Sequence, residues 1–181
     1  VERSLAWMDS MIFSNSEEQA IESASKVRLL LLDVDGILTD GRLYFSNSGE
    51  ESKAFHSLDG HGIKMLMLAG IPVGIITGRE SNIVTKRAAD LGIDILYQGR
   101  EDKIDVLKEI ITNKGIEAHA IAYAGDDLPD LPVLQAVGLS FSVPGAHPDV
   151  KGAVNAITTR CGGEGAVREI TDFILNAQAS H

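Results

Sequence analysis

The sequence has little of several features that would define a special class of protein. Its single cysteine, Cys161, excludes an internal disulfide framework, and aromatic residues make up only 5% of its 181 residues. No apolar run approaches the roughly 20 residues that a membrane helix needs. Glu2, Arg3 and Asp9 interrupt any apolar core of a secretion signal at the start of the chain. We therefore expect a soluble protein of the reducing cytoplasm, with no membrane partner.

Basic residues are also few, since 16 Lys and Arg stand against 26 Asp and Glu, for a net charge of -10. A charge of that sign repels phosphate backbones at long range, so nucleic acid is not an expected partner. The composition is otherwise that of a globular protein, 44% hydrophobic and 23% charged. The length predicts one domain over residues 27–181, preceded by a partly helical N-terminal arm over residues 1–26.

Short aliphatic runs alternate with amphipathic stretches along most of the chain. Strands are predicted at residues 27–32, 72–76, 93–97, 120–124 and 138–142. Helices are predicted at residues 62–69, 81–91, 103–113, 128–136 and 164–175. This order predicts an α/β fold with a Rossmann-like, doubly wound parallel sheet. Residues 41–56 alternate around a Ser-Asn-Ser-Gly cluster and predict a β-hairpin after the first strand.

Acidic and phosphate-binding residue types follow four of the predicted strands. They are the segments Asp33–Gly36 and Thr77–Arg79, then Lys103, and then Gly125–Asp127 with Asp130. Each alone has an ordinary explanation as turn formers, helix caps or a surface lysine. Together they are informative, because the carboxyl ends of parallel strands meet in one crevice. Carboxylates for a hard divalent ion, with hydroxyl and ammonium groups for phosphate oxygens, predict a phosphoryl-transfer site.

The four motifs, DxDG, ITGR, the lysine and GDDxxD, resemble the signatures of the haloacid dehalogenase superfamily of aspartate-nucleophile phosphatases. The hairpin and the stretches AFHSLDGHGIK and GGEGAVREI are also similar to the branch of that superfamily that acts on sugar acid phosphates. The resemblance covers nearly the whole chain from Val27 onward. It implies that Asp33 is the nucleophile, which forms an aspartyl-phosphate, and that Asp35 is the general acid and base.

The resemblance also implies how a cofactor and the phosphoryl group are bound. Mg²⁺ would be held by Asp33, the backbone carbonyl of Asp35, and Asp126. Supporting places around the ion would belong to Asp127 and Asp130, and the phosphoryl oxygens would be bound by Thr77 and Lys103.

The implied substrate is an eight-carbon sugar acid phosphate of lipopolysaccharide biosynthesis. Its carboxylate requires contacts beyond Lys103, and the resemblance assigns them, besides Asp35, to His56, Ser57, Leu58, Asp59, Gly60, Lys64, Arg79 and Arg87. Taken individually, the lysine and the two arginines are also ordinary surface charges. His56 and His61 have no partners at metal-ligand spacing, so we expect His56 to form hydrogen bonds.

Many members of the superfamily carry a cap domain, and here the intervals from Asp35 to Thr77 and from Thr77 to Lys103 leave no room for one. We therefore expect a capless enzyme whose crevice is covered by a neighbouring subunit. The apolar hairpin residues Leu43, Tyr44, Phe45 and Phe55 either contact that subunit or pack on their own sheet. The resemblance implies a homotetramer with the hairpin and the C-terminal tail, residues 160–181, at subunit contacts. The tail glycines 162, 163 and 165 form either a flexible hinge or an ordinary turn.

Several other functions remain compatible with these motifs. Among phosphatases, the substrate could be a nine-carbon sugar acid 9-phosphate, or the enzyme could be a broad phosphomonoesterase. In other classes, a receiver-like phospho-acceptor and a catalytically silent binding subunit use the same kind of sheet.

Overall fold

The structure is a computed structural model that describes residues 11–180. The first ten residues of the predicted arm and the last residue of the predicted tail lie outside the described residues. The strands are β1 (Ile12–Phe13), β2 (Leu29–Leu32), β3 (Tyr44–Phe45), β4 (Glu51–Ser52), β5 (Val73–Ile76), β6 (Ile95–Tyr97), β7 (Ile121–Ala124), β8 (Leu139–Ser142) and β9 (Ala156–Ile157). Seven of them form one sheet in the order β1-β9-β8-β7-β2-β5-β6, and only the β1–β9 pair is antiparallel. This confirms the predicted α/β fold.

Helices cover the sheet. They are α1 (Glu17–Ser25), α2 (Ser57–Leu68), α3 (Asn82–Leu91), α4 (Lys103–Lys114), α5 (Leu131–Ala136), α6 (Pro148–Lys151) and α7 (Ala166–Ala179). Strands β2, β5, β7 and β8 are buried along their whole length, as strands covered on both faces must be. Helix α7 packs against α1 and α2, whereas α4 packs against α5. Within residues 11–180, every helix is too short or too polar to span a bilayer.

The structure extends the predicted elements at several places. Helix α2 begins five residues before the predicted start, because the Nδ1 of His56 accepts a hydrogen bond from the Leu58 amide and caps the helix. Strands β1 and β9 have two residues each, too few for a hydrophobic period to reveal them. Strand β1 adds to the edge of the main sheet, and α1 buries Ala20 and Ala24. The described part of the N-terminal segment therefore packs on the domain.

The hairpin of β3 and β4 lies outside the main sheet, with Tyr44 paired to Ser52. Between Asp35 and Thr77 the described chain contains this hairpin, α2 and β5, with only short loops and turns besides them. There is no cap domain in this interval, so the described chain has the predicted capless architecture. Three apolar residues of the hairpin are exposed: Leu43 by 48%, Tyr44 by 42% and Phe45 by 58%. Phe55 instead is half-buried against the core. The hairpin thus presents an apolar edge to its surroundings.

The glycine pair before α7 is packed tightly against the turn that follows β2. The Gly163 amide donates a hydrogen bond to the carbonyl of Ile37 at 3.1 Å. A Cβ atom on Gly162 would lie 1.8 Å from the carbonyl oxygen of Gly36. The pair therefore forms a fixed turn that connects the last helix to the loop after the first buried strand.

We predict that Gly162→Ala destabilises the fold, because the new methyl group would meet backbone atoms that cannot move without displacing the turn. Overpacking of this kind costs about 2 to 3 kcal/mol, which for a domain of this size lowers the melting temperature by several degrees. Gly145→Ala is the matched control, since a Cβ there has no atom within 4 Å. Thermal unfolding followed by circular dichroism measures both. Equal melting temperatures for the two variants would contradict the prediction.

Candidate active site

The site begins with Asp33, which directly follows β2. Its amide donates to the carbonyl of Ala124 in β7 at 3.0 Å, and its Oδ1 accepts from the Val34 amide at 2.7 Å. The turn that follows depends on Gly36, whose φ is +89°. A Cβ on Gly36 would lie 2.0 Å from an Asp126 carboxylate oxygen, so only glycine lets these two acidic loops approach each other.

The predicted phosphoryl-transfer residues line one cavity of about 280 Å³. It is lined by Asp33, Asp35, Thr77, Arg79, Lys103, Asp126, Asp127 and Asp130, together with Gly41, Gly78, Glu101 and Pro129. The first eight come from the ends of β2, β5 and β7 and from the start of α4. The structure therefore brings the four separate motifs into a single crevice at the carboxyl edge of the sheet.

Lys103 is a buried cation that lines this crevice, with its side chain only 4% exposed. Its Nζ lies 3.0 Å from Oδ2 of Asp33 and 2.6 Å from Oδ1 of Asp130. Burial alone would lower the pKa of this ammonium group, but the two carboxylates outweigh burial and raise the pKa. Lys103 therefore carries its charge at neutral pH and joins the first buried strand to the loop after β7.

Asp130 uses both of its carboxylate oxygens to hold neighbouring groups. Its Oδ1 accepts from the buried hydroxyl of Tyr123 at 2.5 Å as well as from Lys103. Its Oδ2 accepts from the amides of Asp126 and Asp127 at 3.0 and 3.2 Å. Asp130 thus fixes the position of Lys103 and the conformation of the loop that carries Asp126. Sequence reasoning missed Tyr123, which reads as an ordinary core residue of β7.

Three carboxylates in this crevice fit a hard divalent cation. Oxygens of Asp33, Asp126 and Asp130 lie within 4.8 Å of one another. When all three are ionised, with Lys103 as their buried ammonium partner, they leave a surplus of two negative charges. Burial, reinforced by the charge of Asp130, raises the pKa of Asp33 to about 8 and that of Asp126 to about 7. Asp130 already accepts four hydrogen bonds, two on each oxygen, which leaves Asp33 and Asp126 as the carboxylates with capacity for an ion.

Asp35 has two neighbours on the hairpin that sequence reasoning did not identify. The Nζ of Lys53 donates to Oδ1 of Asp35 at 2.6 Å, and Oε1 of Glu51 lies 3.4 Å from the same Nζ. Glu51 also accepts from Arg79 at 2.9 Å, and the Nε of Arg79 lies 3.8 Å from Oδ2 of Asp35. The signal was present in the sequence, since Glu51, Lys53 and Phe55 alternate along one face of the hairpin.

The other residues assigned to the sugar acid lie outside this cavity, on α2, just before it and on α3. They are His56, Ser57, Leu58, Asp59, Gly60, Lys64 and Arg87. His56 caps α2, and Asp59 is buried, where its Oδ1 accepts from the Arg168 amide at 2.8 Å in the first turn of α7. Burial raises the pKa of Asp59. Asp59 thus ties the start of α2 to the start of α7.

Arg87 lies beside the start of α2 with an incomplete set of hydrogen bonds. Its guanidinium carbon is 5.5 Å from the centre of the Phe55 ring, and its Nη2 is 2.4 Å from where a Cβ of Gly60 would lie. Its buried Nε has no hydrogen-bond partner among the described residues, and the same holds for Oδ2 of Asp59. These buried polar atoms indicate a second polar region beside the start of α2.

Comparison with known proteins connects this geometry to a family. A family model of haloacid dehalogenase-like hydrolases matches residues 93–170. The chain is 46% identical over 158 residues to the 3-deoxy-D-manno-octulosonate 8-phosphate phosphatase of Escherichia coli strain K12, covering 87% of this chain and 84% of that one.

Two solved structures are similar along nearly their whole length. One is the 3-deoxy-D-manno-octulosonate 8-phosphate phosphatase of Moraxella catarrhalis in complex with magnesium, phosphate and 3-deoxy-D-manno-octulosonate (KDO). Its TM-score is 0.89 at 41% identity, and the alignment covers 91% of this chain and 95% of that one. The other is the cobalt-bound deoxy-D-mannose-octulosonate 8-phosphate phosphatase of Haemophilus influenzae, with a TM-score of 0.84, 43% identity, and coverage of 87% and 92%. The chain therefore belongs to the haloacid dehalogenase-like hydrolases, in the family of the 3-deoxy-D-manno-octulosonate 8-phosphate phosphatases, and is a phosphoric monoester hydrolase.

Proposed function

We propose that this enzyme hydrolyses 3-deoxy-D-manno-octulosonate 8-phosphate, KDO 8-phosphate, to KDO and inorganic phosphate in lipopolysaccharide biosynthesis. The proposal includes dependence on Mg²⁺ and an aspartyl-phosphate intermediate on Asp33. Its main support is the position of Asp33, buried at the end of β2, 3.0 Å from the Lys103 ammonium and within 4.8 Å of the Asp126 carboxylate. A carboxylate held in this way is both a nucleophile and an ion ligand.

In the first step, a carboxylate oxygen of Asp33 forms a bond to phosphorus while the bond from phosphorus to the sugar oxygen breaks. Asp35 donates a proton to that departing oxygen, which leaves as an alcohol. Thr77 and Lys103 bind the phosphoryl oxygens and stabilise the charge that they carry in the transition state. Both residues line the cavity with Asp33.

In the second step, Asp35 accepts a proton from a water molecule whose oxygen bonds to phosphorus. The bond between phosphorus and Asp33 breaks, which releases phosphate and restores the carboxylate. Mg²⁺, held by Asp33, the backbone carbonyl of Asp35, and Asp126, would supply the positive charge that offsets these anions. Asp127 and Asp130 support this set, and Asp130 does so through the amide of Asp126.

The sugar acid part of the substrate is assigned to the polar region beside the start of α2. His56 to Gly60 would contact its hydroxyl groups, and Lys64, Arg79 and Arg87 would face its carboxylate. The buried Nε of Arg87, which has no partner among the described residues, supports this assignment because an unpaired buried donor is costly without a ligand.

The proposed assembly is a homotetramer in which a neighbouring chain covers the crevice. The exposed Leu43, Tyr44 and Phe45 of the hairpin support a contact there, because contiguous exposed apolar residues usually mark an interface. The C-terminal tail is assigned to the same subunit contacts. Covering the crevice limits the access of water, and phosphoryl transfer through an aspartate is more efficient when the access of water is limited.

We predict that the purified protein with Mg²⁺ releases phosphate from KDO 8-phosphate with a higher kcat/KM than from other sugar phosphates. A panel that includes a nine-carbon sugar acid 9-phosphate and hexose phosphates, assayed for free phosphate, measures this. A difference of one carbon and a few hydroxyls gives a preference of about tenfold or more. A higher kcat/KM for the nine-carbon ester or a hexose phosphate would overturn the substrate assignment.

The Asp33→Asn variant is the control for the chemistry of that assay. It removes the nucleophile with little change in shape, so phosphate release falls to background while circular dichroism is unchanged. Asp90→Asn, at an exposed position on α3, is the matched control and retains activity. Retained turnover in Asp33→Asn would exclude the aspartyl-phosphate route.

We predict that Mg²⁺ raises the melting temperature more at pH 8 than at pH 5. In the ion-free protein, Asp33 and Asp126 hold protons in the folded state between their ordinary pKa of 3.8 and the raised values of about 8 and 7. The unfolded chain has released those protons, so the free energy of unfolding of the ion-free protein falls as pH rises through this window. Mg²⁺ binds the deprotonated carboxylates and reverses the loss.

Differential scanning fluorimetry at both pH values, with and without Mg²⁺, checks this prediction. In Asp126→Asn the Mg²⁺-dependent increase should largely vanish, because one of the carboxylates available to the ion is gone. An equal Mg²⁺ effect at pH 5 and pH 8 would contradict the assignment of these carboxylates as ligands.

We predict that the double variant Tyr44→Ser, Phe45→Ser forms smaller assemblies than the wild-type chain. Removing two aromatic side chains from the proposed contact takes away much of the apolar area that would hold subunits together. Light scattering coupled to size-exclusion chromatography measures the mass. Leu68→Ser, at a position that is 88% exposed on α2, is the matched control and should leave the mass unchanged. A fully active wild-type monomer would refute the proposed covering of the crevice.

A further inference from the structure

Strand β4 and the three residues after it place alternate side chains on the side of the active site. Glu51, Lys53 and Phe55 are half-buried along one face, while Ser52 and Ala54 are exposed on the other. This is the two-residue period of an extended strand. The buried face therefore carries an acid and a base into contact with the catalytic loop after β2.

Lys53 is almost completely buried beside a carboxylate that faces the cavity. Its side chain is 2% exposed, whereas that of Asp35 is 21% exposed. Its Nζ lies 2.6 Å from Oδ1 of Asp35 and 3.4 Å from Oε1 of Glu51. Glu51 in turn is 2.9 Å from an Arg79 nitrogen. Asp35 is thus held from the hairpin by one short, charged hydrogen bond.

An ammonium group in this position is poorly explained by stability alone. Burying a charge costs desolvation free energy, and an ion pair offsets that cost only when its geometry is good. An apolar side chain at such a position therefore often stabilises the fold as much as the buried ion pair, or more. The hydrogen bond between Lys53 and Asp35 therefore indicates a role in the chemistry of the Asp35 carboxylate. Because Oδ1 accepts from Lys53, a proton on this carboxyl group is left to Oδ2, which lies 3.8 Å from the Nε of Arg79.

We propose that Lys53 is a positioning residue for the acid-base chemistry of Asp35. It fixes Oδ1, so that Oδ2 alone donates the proton to the departing sugar oxygen and later accepts the proton of the attacking water. Glu51 keeps the Lys53 ammonium in place and links it to Arg79. This inference rests on the proposed function, in which Asp35 is the general acid and base.

The consequence is a loss of rate that depends on the leaving group. In phosphoenzyme formation the Asp33–phosphorus bond forms, the bond to the leaving oxygen breaks, and a basic sugar alkoxide needs the Asp35 proton as it departs. The p-nitrophenolate ion is a weak base and departs without a proton. The ratio kcat/KM covers only the steps up to the first irreversible one, so phosphoenzyme hydrolysis does not enter the comparison.

The experiment measures kcat/KM of Lys53→Met for KDO 8-phosphate and for p-nitrophenyl phosphate, with Asp35→Asn as the reference. We expect a loss on the order of 10²-fold with KDO 8-phosphate and less than about threefold with p-nitrophenyl phosphate, the same pattern as Asp35→Asn. Lys53→Arg should recover most of the lost rate, because a guanidinium group also donates to Oδ1. Lys114→Met, at an exposed position at the end of α4, is the matched control with unchanged rates.

Other results would overturn the inference. An equal loss with both esters would mean that Lys53 acts on the phosphoryl group or on the fold, and a loss confined to KM would make it a substrate contact. If Lys53→Met does not fold, Glu51→Gln provides the same comparison, and it should lose more rate with KDO 8-phosphate than with p-nitrophenyl phosphate. A wild-type protein without activity on either ester would instead overturn the proposed function itself.

Discussion

The functional groups of the crevice depend on the ion pairs that Lys103 makes with Asp33 and Asp130. This ammonium group lies between the end of β2 and the loop after β7, and it is the buried cation that offsets their negative charge. Because the three acids Asp33, Asp126 and Asp130 repel one another in a medium of low dielectric constant, the loops that carry them stay close only with such compensation. The remaining surplus of negative charge is what makes the crevice suitable for a divalent ion.

Close backbone approach is the second constraint, and it connects distant parts of the chain to the same turn. Gly36 leaves room for the Asp126 carboxylate, and Gly162 lies against the Gly36 carbonyl on the other side. The tail before α7 is thereby joined to the loop between Asp33 and the hairpin. A displacement of either segment would move the Asp33 and Asp126 loops relative to each other.

The hairpin joins two roles that are usually assigned to different elements. Its strand β3 exposes Tyr44 and Phe45, whereas β4 and the residue after it bury Glu51 and Lys53 beside Asp35. The proposed function requires both a cover over the crevice and an ordered Asp35, and one short ribbon outside the main sheet is in position to serve both. In this arrangement, any contact that orders the exposed edge of the hairpin also orders the lysine on its buried side.

The sequence by itself determined the α/β fold, the capless arrangement and the position of each motif at a strand end. It could do so because buried parallel strands are continuous aliphatic runs. Asp33 and Thr77 directly follow such runs, Asp126 follows one after a single glycine, and Lys103 begins the next helix. Only the tertiary structure revealed Tyr123 as a partner of Asp130, Lys53 as a partner of Asp35, and Glu51 as a partner of Lys53 and Arg79. The two-residue period of the hairpin does place Glu51 and Lys53 on one face, but neither period nor spacing identifies the partner across the fold, which depends on side-chain direction and distance. The start of α2 and the two-residue strands β1 and β9 likewise depend on a cap and on pairing with distant segments, since their own residues are too few or too polar to carry a pattern.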